Sequence, residues 1–298
     1  MRADPHYQNL TWAIDRATSN TQSLTSELSS GLRVSSLSDD PLAAAQSSQL
    51  SSAISRDDTF VQTASTESSI MQATDSTLAE VVSQLTSAVS LSVSATNGTN
   101  NAANLSTLAQ QLTAVRDQVL SLANTSYQGT YLFGGSQNAT APFTLDTSTQ
   151  PATVTYNGDT NLNHIETPSG QRLQTNLPGS SIFGSGSSGV FGAINQIIAD
   201  LATGASASTL STDSSALTTA LGHVSTQRSV LDSSLSQLQS VSTYTQTQEA
   251  QLKVQQSSLV SADAAAVATQ LATSETQYQA LLSTAGSLQK HNLFDYLQ

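Results

Sequence analysis

Leu24–Ala45, LTSELSSGLRVSSLSDDPLAAA, decides how the chain is built. Leu24 and Leu28 close an apolar stripe that arrives from upstream. Gly31 stands where the C-terminus of a helix takes a residue free to adopt positive φ. Ser38, Asp39 and Asp40 offer capping oxygens, and Pro41 suits the first position of a new helix, where its missing N–H costs nothing. The stretch therefore predicts a helix, a stop, a short polar link and a second start. Gly31, Asp39, Asp40 and Pro41 form the joint.

Upstream of the joint, Leu10, Ile14, Ala17, Thr21, Leu24 and Leu28 follow one another at steps of four and three, an a/d seam with Thr21 as its weak member. Downstream, Leu50, Ile54, Val61, Ala64, Met71, Leu78, Val82, Leu85 and Val89 share one register, interrupted by Asp57, Ser68 and Asp75. A helix from Leu42 to about Ser94 would be about 80 Å long. ATNGTNN, Ala95–Asn101, is a turn-forming cluster. A third helix is predicted beyond it on Leu105, Leu108, Leu112, Val115, Val119 and Leu122, running back along the second.

The helical period disappears between Pro142 and Pro178. Short alternating runs there are punctuated by Asn157-Gly158 and Ser169-Gly170, and predict strands at Ala152–Asn157, Leu162–Thr167 and Gln171–Asn176 in a small antiparallel meander. GSGSSG, Gly184–Gly189, reads as a flexible return. Val190–Ala202 reads as a short helix with Ile194, Ile197, Ile198 and Leu201 on one face. A polar link, Thr203–Ser215, leads to a long seam: Leu217, Leu221, Val224, Leu231, Leu235, Leu238, Leu252 and Leu259. After a second joint around Ser261-Ala262-Asp263, a new register runs through Val267, Leu271, Ser274, Tyr278, Leu281, Ala285 and Leu288, and Leu293, Phe294 and Tyr296 follow at the end.

The fold class predicted is mainly α: a long antiparallel helical rod with paired terminal coiled-coil helices and a small antiparallel β insert. Its divisions are an N-terminal coiled-coil helix (1–40) pairing with a C-terminal one (261–298), rod helices (41–140 and 190–260), and the insert (141–189). Two paired helices leave much Leu, Ile, Val and Tyr surface wet, so neighbouring subunits are expected to cover it. The residues expected at such contacts are Leu10, Ile14, Leu24, Leu28, Leu271, Tyr278, Leu281, Leu288, Leu293, Phe294 and Tyr296.

Composition narrows the function classes. Among 298 residues only 10% are charged and 5% aromatic, which favours thin helical architectures over a large aromatic core. A net charge of −12 argues against nucleic acid, whose phosphates need clustered Lys and Arg. Without cysteine there is no disulfide, thiolate metal site or Cys nucleophile. MRADPHYQNL has no signal-peptide core, and no stretch is expected to reach the ~20 apolar residues of a membrane span. GSGSSG fits G-x-G-x-x-G literally, but only Ile182-Phe183 stands where a dinucleotide site needs a strand. His6, His164, His223 and His291 are scattered and lack metal-ligand spacing. No G-x-S-x-G elbow occurs, and Asp39-Asp40 is too few oxygens for calcium. No enzyme activity, cofactor or metal is expected.

Three strings carry a resemblance. LSSGLRVSSLSDDPLAAA, ANTSYQGTYLFGGS (Ala123–Ser136) and LFDYL (Leu293–Leu297) are similar to strings at corresponding places in the flagellin family of bacterial flagellar proteins, and ATNGT is shared with flagellins at large. Asp39-Asp40-Pro41 resembles the family's hook–filament junction branch rather than its filament branch. The resemblance implies a secreted structural component of the flagellum, exported without a cleaved signal peptide. It further implies a homo-oligomer in an axial assembly, with the first hook-associated protein below, flagellin above, and a cytosolic export chaperone beforehand. Filament flagellin is the nearest alternative. A coiled-coil signalling or adhesion protein, and an enzyme with His164, Glu166 and Asp159 in the insert, are more remote.

Overall fold

The computed structural model describes residues 5–98, 100–184, 186 and 189–295, and among these the side chains of residues 8 to 287. The fold class is the one predicted: long helices, terminal helices that pair, and small antiparallel strand pairs. α1 (Pro5–Ser30) stops at Gly31, whose φ of 70° a β-carbon would disfavour. α2 (Pro41–Ala95) opens on the proline, and the Asp40 side chain accepts the Ala43 N–H at 3.1 Å as its N-cap. The turn after Ala95 ends at Asn101, which caps α3 (Ala102–Ala123) by accepting the Asn104 N–H.

The chain divides into two compact units, Arg56–Thr247 and Met1–Ser55 with Gln248–Gln298. The first holds the larger core. Its share of α2 buries Phe60, Ala64, Met71, Leu78, Val81, Leu85, Ala88 and Ala95. Ala64, Met71, Leu78 and Leu85 belong to the predicted seam. Elsewhere in this stretch the covered line is rotated by one residue: Phe60, Thr74, Val81 and Ala88 are buried, whereas Val61, Val82 and Val89 of the seam, and Asp75 that interrupts it, are only half-buried. A single partner would select a narrow a/d line. Here α3 and the later helices feed one apolar cluster, so the covered stripe is wider and its centre moves.

The predicted meander is corrected. Among the described residues the strands form three separate antiparallel pairs: β1 (Ser126–Tyr127) with β2 (Thr130–Tyr131), β3 (Phe143–Asp146) with β4 (Thr153–Tyr156), and β5 (His164–Glu166) with β6 (Arg172–Gln174). Gln128 and Gly129 both have positive φ, which gives β1–β2 the tight turn that matches strand twist. The run at 152–157 pairs backwards with β3 because aromatic packing selects that partner. Phe143 lies opposite Tyr156, with ring centroids 5.0 Å apart, and also meets Phe183 at 5.3 Å and Phe191 at 5.4 Å. Phe133 closes the group on Phe183. Four of the six phenylalanines are spent here, on anchoring the insert.

α4 (Gly179–Phe183) has no counterpart in the sequence reading, whereas α5 (Val190–Thr203) falls where predicted and buries Ile194, Ile197 and Leu201. The polar link expected at 203–215 is shorter. α6 (Ala207–Val260) already begins at Ala207, and Leu210, Asp213 and Ser214 are buried. Ser and Thr are weak helix formers and mark links by composition, but Thr212 and Ser215 turn their hydroxyls to the carbonyls four residues back and leave the helix intact.

In the second unit α1 packs antiparallel on α7 (Ala264–Asp295). Buried apolar side chains among its described residues are few: Leu24, Val34, Ala43 and Val267.

Candidate assembly surface of the paired terminal segments

The two joints are stitched to one another. Leu32 and Ser261 form an antiparallel bridge, Ala262 N–H donates to the Gly31 carbonyl at 2.9 Å, and Arg33 N–H donates to the Val260 carbonyl at 2.8 Å. The Arg33 guanidinium reaches the Leu259 carbonyl at 2.9 Å with one nitrogen and Asp40 at 3.3 Å with another. Asp39 Oδ2 accepts the N–H of Ser35 (3.0 Å) and of Ser36 (2.8 Å), together with the Ser35 hydroxyl. These donors, the Ser36 N–H foremost, hold its carboxyl below the ordinary carboxylate range; for Asp40 the Ala43 N–H does the same. Pro41 is exposed and contributes only its fixed φ. On the other side, Asp263 caps α7 by accepting from Ala265 and Ala266.

Below the joints the terminal helices meet along the predicted seam. Leu24 is buried, Leu10 and Ile14 are half-buried, and Leu28 is 39% exposed. Opposite them Val267 is buried, whereas Leu271, Tyr278 and Leu281 are only half-buried. Midway, Ser274 is 2% exposed and its hydroxyl lies 3.1 Å from both Thr21 Oγ1 and Asn20 Nδ2, so a polar layer interrupts the apolar contact. Off the seam, Trp12 is 65% exposed with the Arg16 guanidinium 5.4 Å from its ring centre, and Leu282 is exposed. A single helix-to-helix contact thus covers only one stripe of each terminal helix. Leu288, Leu293 and Phe294 continue the helix but their side chains lie outside the described residues, as does Tyr296 altogether.

Arg33, Ser274 and Asn20 were not singled out from the sequence. Arg33 left a trace: it is the one basic residue between Arg16 and Arg56, and Val34–Ser38 alone separate it from an acidic pair. Ser274 left none. A groove of about 390 Å³ lies beside the joint, lined by Val34, Leu37, Ser47, Ser51, Gln256 and Val260 among others.

The other candidate chemistries find no support. His164 and Glu166 project from β5 into solvent, and Asp159 is occupied by Ser136 and Asn161. His223 Nε2 lies 2.7 Å from the Ser181 carbonyl. Among the described residues, no three His, Cys, Asp or Glu side chains are placed to hold a metal ion. Helix α4 stands before Gly184, where a dinucleotide fingerprint needs a strand. One expectation is corrected: α2 contains an 18-residue window of mean hydropathy 1.2, apolar enough by length and composition to cross a membrane. A third of that window is buried, and the helix supplies Met71, Leu78, Val81 and Leu85 to the buried cluster.

Residues 6–138 match the family described as bacterial flagellin N-terminal helical region, so the resemblance read from the sequence is borne out there. The chain is 27% identical over 291 residues to flagellar hook-associated protein 3 of Salmonella typhimurium strain LT2, an alignment that covers 90% of each. It is 35% identical over 118 residues to flagellar hook-associated protein 3 of Escherichia coli strain K12, covering 39% of this chain and 37% of that protein. In fold it is similar to the crystal structure of flagellar hook-associated protein 3 from Legionella pneumophila. There the TM-score is 0.63 at 15% identity, over 71% of this chain and 98% of that one.

Proposed function

We propose that this chain, which carries the flagellin N-terminal helical region over residues 6–138, is a structural subunit of the bacterial flagellum at the junction between hook and filament. The observation that carries the reading is the half-covered seam. Leu10, Ile14, Leu28, Leu271, Tyr278 and Leu281 stay partly wet in the isolated chain, so the terminal pair (1–40 with 261–298) gains most of its burial from neighbouring subunits. Similarity to hook-associated protein 3 along 90% of both chains supports placing those neighbours in the axial structure.

In this reading the remaining segments have assigned places. Residues 41–140 and 190–260 form the surrounding layer, and 141–189 the outer surface. Copies of the chain contact one another laterally, the first hook-associated protein lies below and flagellin above. A cytosolic chaperone holds the C-terminal part before export, which uses no cleaved signal peptide. The mechanism is geometric and involves no catalysis: two faces that match different neighbours give filament growth a fitted seat.

Leu281→Asp tests the reading. A charge at a half-wet position stays solvated in the monomer but must be buried unpaired in the assembly, at a cost of several kcal/mol per copy. The variant is expected to keep its helical circular dichroism and to be exported, yet to fail to remain at the hook, with flagellin released into the medium. Immunogold labelling of the unsubstituted protein should give a single band at the end of the hook. Label along the filament would instead mark a filament subunit, and label at neither place would end the flagellar reading.

A further inference from the structure

Asp213 lies in the second turn of α6, 8% exposed, and its Oδ2 has no hydrogen-bond partner. The group facing it is another acid, Asp200, in the last turn of α5. Two ionised carboxylates in contact have no donor between them, and a buried charge with no counter-ion is among the costlier arrangements in a protein. The charged groups of the surrounding elements do not relieve it. Arg116 of α3 packs on α5, but its guanidinium is taken by Asp117 and Asn195. The link at 204–206 is Gly-Ala-Ser. On α6 the next charged residue is Arg228, paired with Asp75. From α2 comes Ser92, which donates to Ser214, and the nearest charged residue before Ser92 is Glu80, exposed. Gln196 donates to one oxygen of Asp200 at 2.8 Å, leaving the other free to accept.

We propose that Asp213 is held protonated in the folded chain and donates to Asp200, a carboxyl clasp that ties the end of α5 to the start of α6. One proton removes the buried charge and supplies the missing donor at the same time. Burial, with Asp200 adding to it, pushes Asp213 up to about 6, so the clasp is closed on the acidic side of neutrality and strained above it. A divalent cation is the competing occupant, but it prefers six or more oxygens, and no third acidic or histidine ligand stands beside the pair among the described residues. The consequence is a unit that tightens as pH falls from about 7 towards 4, because over that range the folded state binds a proton that the unfolded chain, with its carboxyl at the ordinary 3.8, lacks.

The experiment is thermal unfolding of the full chain and of Asp213→Asn between pH 8 and pH 5. The amide donates at every pH without a charge. At pH 8 the variant is expected to melt several degrees above the unsubstituted chain, and the difference should narrow as pH falls through about 6, to roughly half by pH 5. A difference that does not change with pH, or a variant less stable throughout, overturns the proposal. If Asp213→Asn does not fold, carboxyl carbon NMR of the unsubstituted protein decides. Titration of Asp213 near pH 6 is expected, and titration in the ordinary carboxylate range overturns it. Magnesium or calcium that raises the melting temperature of the unsubstituted chain at pH 8, but not that of the variant, would assign the pair to a cation instead.

Discussion

Arg33 donates from its guanidinium to the backbone carbonyl of Leu259 at 2.9 Å, joining residues 226 apart in sequence. The same side chain holds Asp40, the N-cap of α2, at 3.3 Å, and its backbone N–H is bonded to Val260. One residue therefore serves the bridge, a carbonyl at the end of α6 and the cap of α2. A planar fork with several donors suits that task.

Arg33→Lys replaces the fork with a single point charge that cannot serve Leu259 and Asp40 together. Both partners are solvent-accessible, so global stability should change by less than about 1 kcal/mol. Proteolytic cleavage within 31–40 should nevertheless become several-fold faster. A fall in melting temperature as large as that of a core truncation would show that Arg33 acts in folding rather than in holding the joint.

Asp40 and Pro41 separate by role. Asp40→Ala removes the acceptor for the Ala43 N–H and should lower the urea midpoint, whereas Asp40→Asn retains most of the cap. Pro41→Ala puts a good helix former at an exposed first position and should lie within about 0.5 kcal/mol of the parent. Urea unfolding, with amide exchange at Ala43, distinguishes them, and equal losses at both positions would contradict the assignment.

The joint has its own pH dependence, opposite in sign to that of Asp213. The carboxyls of Asp39 and Asp40 are held below their ordinary value of 3.8 by N–H donors, so the folded state prefers them ionised. Their contribution is present above that value and is lost as pH falls through the lowered one. Protection of the amides of Ser35, Ser36 and Ala43, corrected for the intrinsic exchange rate, should fall as pH drops below 3.8, and Asp39→Asn should abolish the effect at Ser35 and Ser36 alone.

The polar layer in the terminal pair makes a fourth test. Thr21 Oγ1 already bonds the Ala17 carbonyl and Asn20 is exposed, so Ser274→Ala leaves no buried group without a partner and should cost under about 1 kcal/mol. Leu24→Ala removes one of the few buried apolar side chains of this unit and should cost about 2 kcal/mol, at the low end for a leucine because the site is thinly covered. Protease protection of α1 should follow the same order. A larger loss from Ser274→Ala would mean that the hydroxyl layer, and not the leucine, holds the helices together.

Helix starts, stops and short helices were readable because their causes are local. A stripe at steps of three and four, a carboxylate bonding an N–H three residues on, and a glycine at positive φ all lie within a few residues of what they determine. By that route the chain from Leu24 to Ala45, the turn after Ala95 and the face of α5 could be drawn in advance. The half-wet terminal seam, too, was visible as a periodicity too narrow to cover two helices on all sides.

Other features needed the tertiary structure, because their causes are distant in sequence. Whether Phe60 or Val61 faces inward depends on how many helices close over α2, and a one-residue rotation leaves the periodicity of α2 almost unchanged. β4 pairs with β3 because Phe143 joins a cluster whose other rings come from residues 133, 156, 183 and 191. The bonds between the joints, and the acid pair of Asp200 and Asp213, exist only once separate helices have docked. Local hydrogen bonding and periodicity are written into consecutive residues, whereas the choice among partners is made by burial, which only the folded chain brings about.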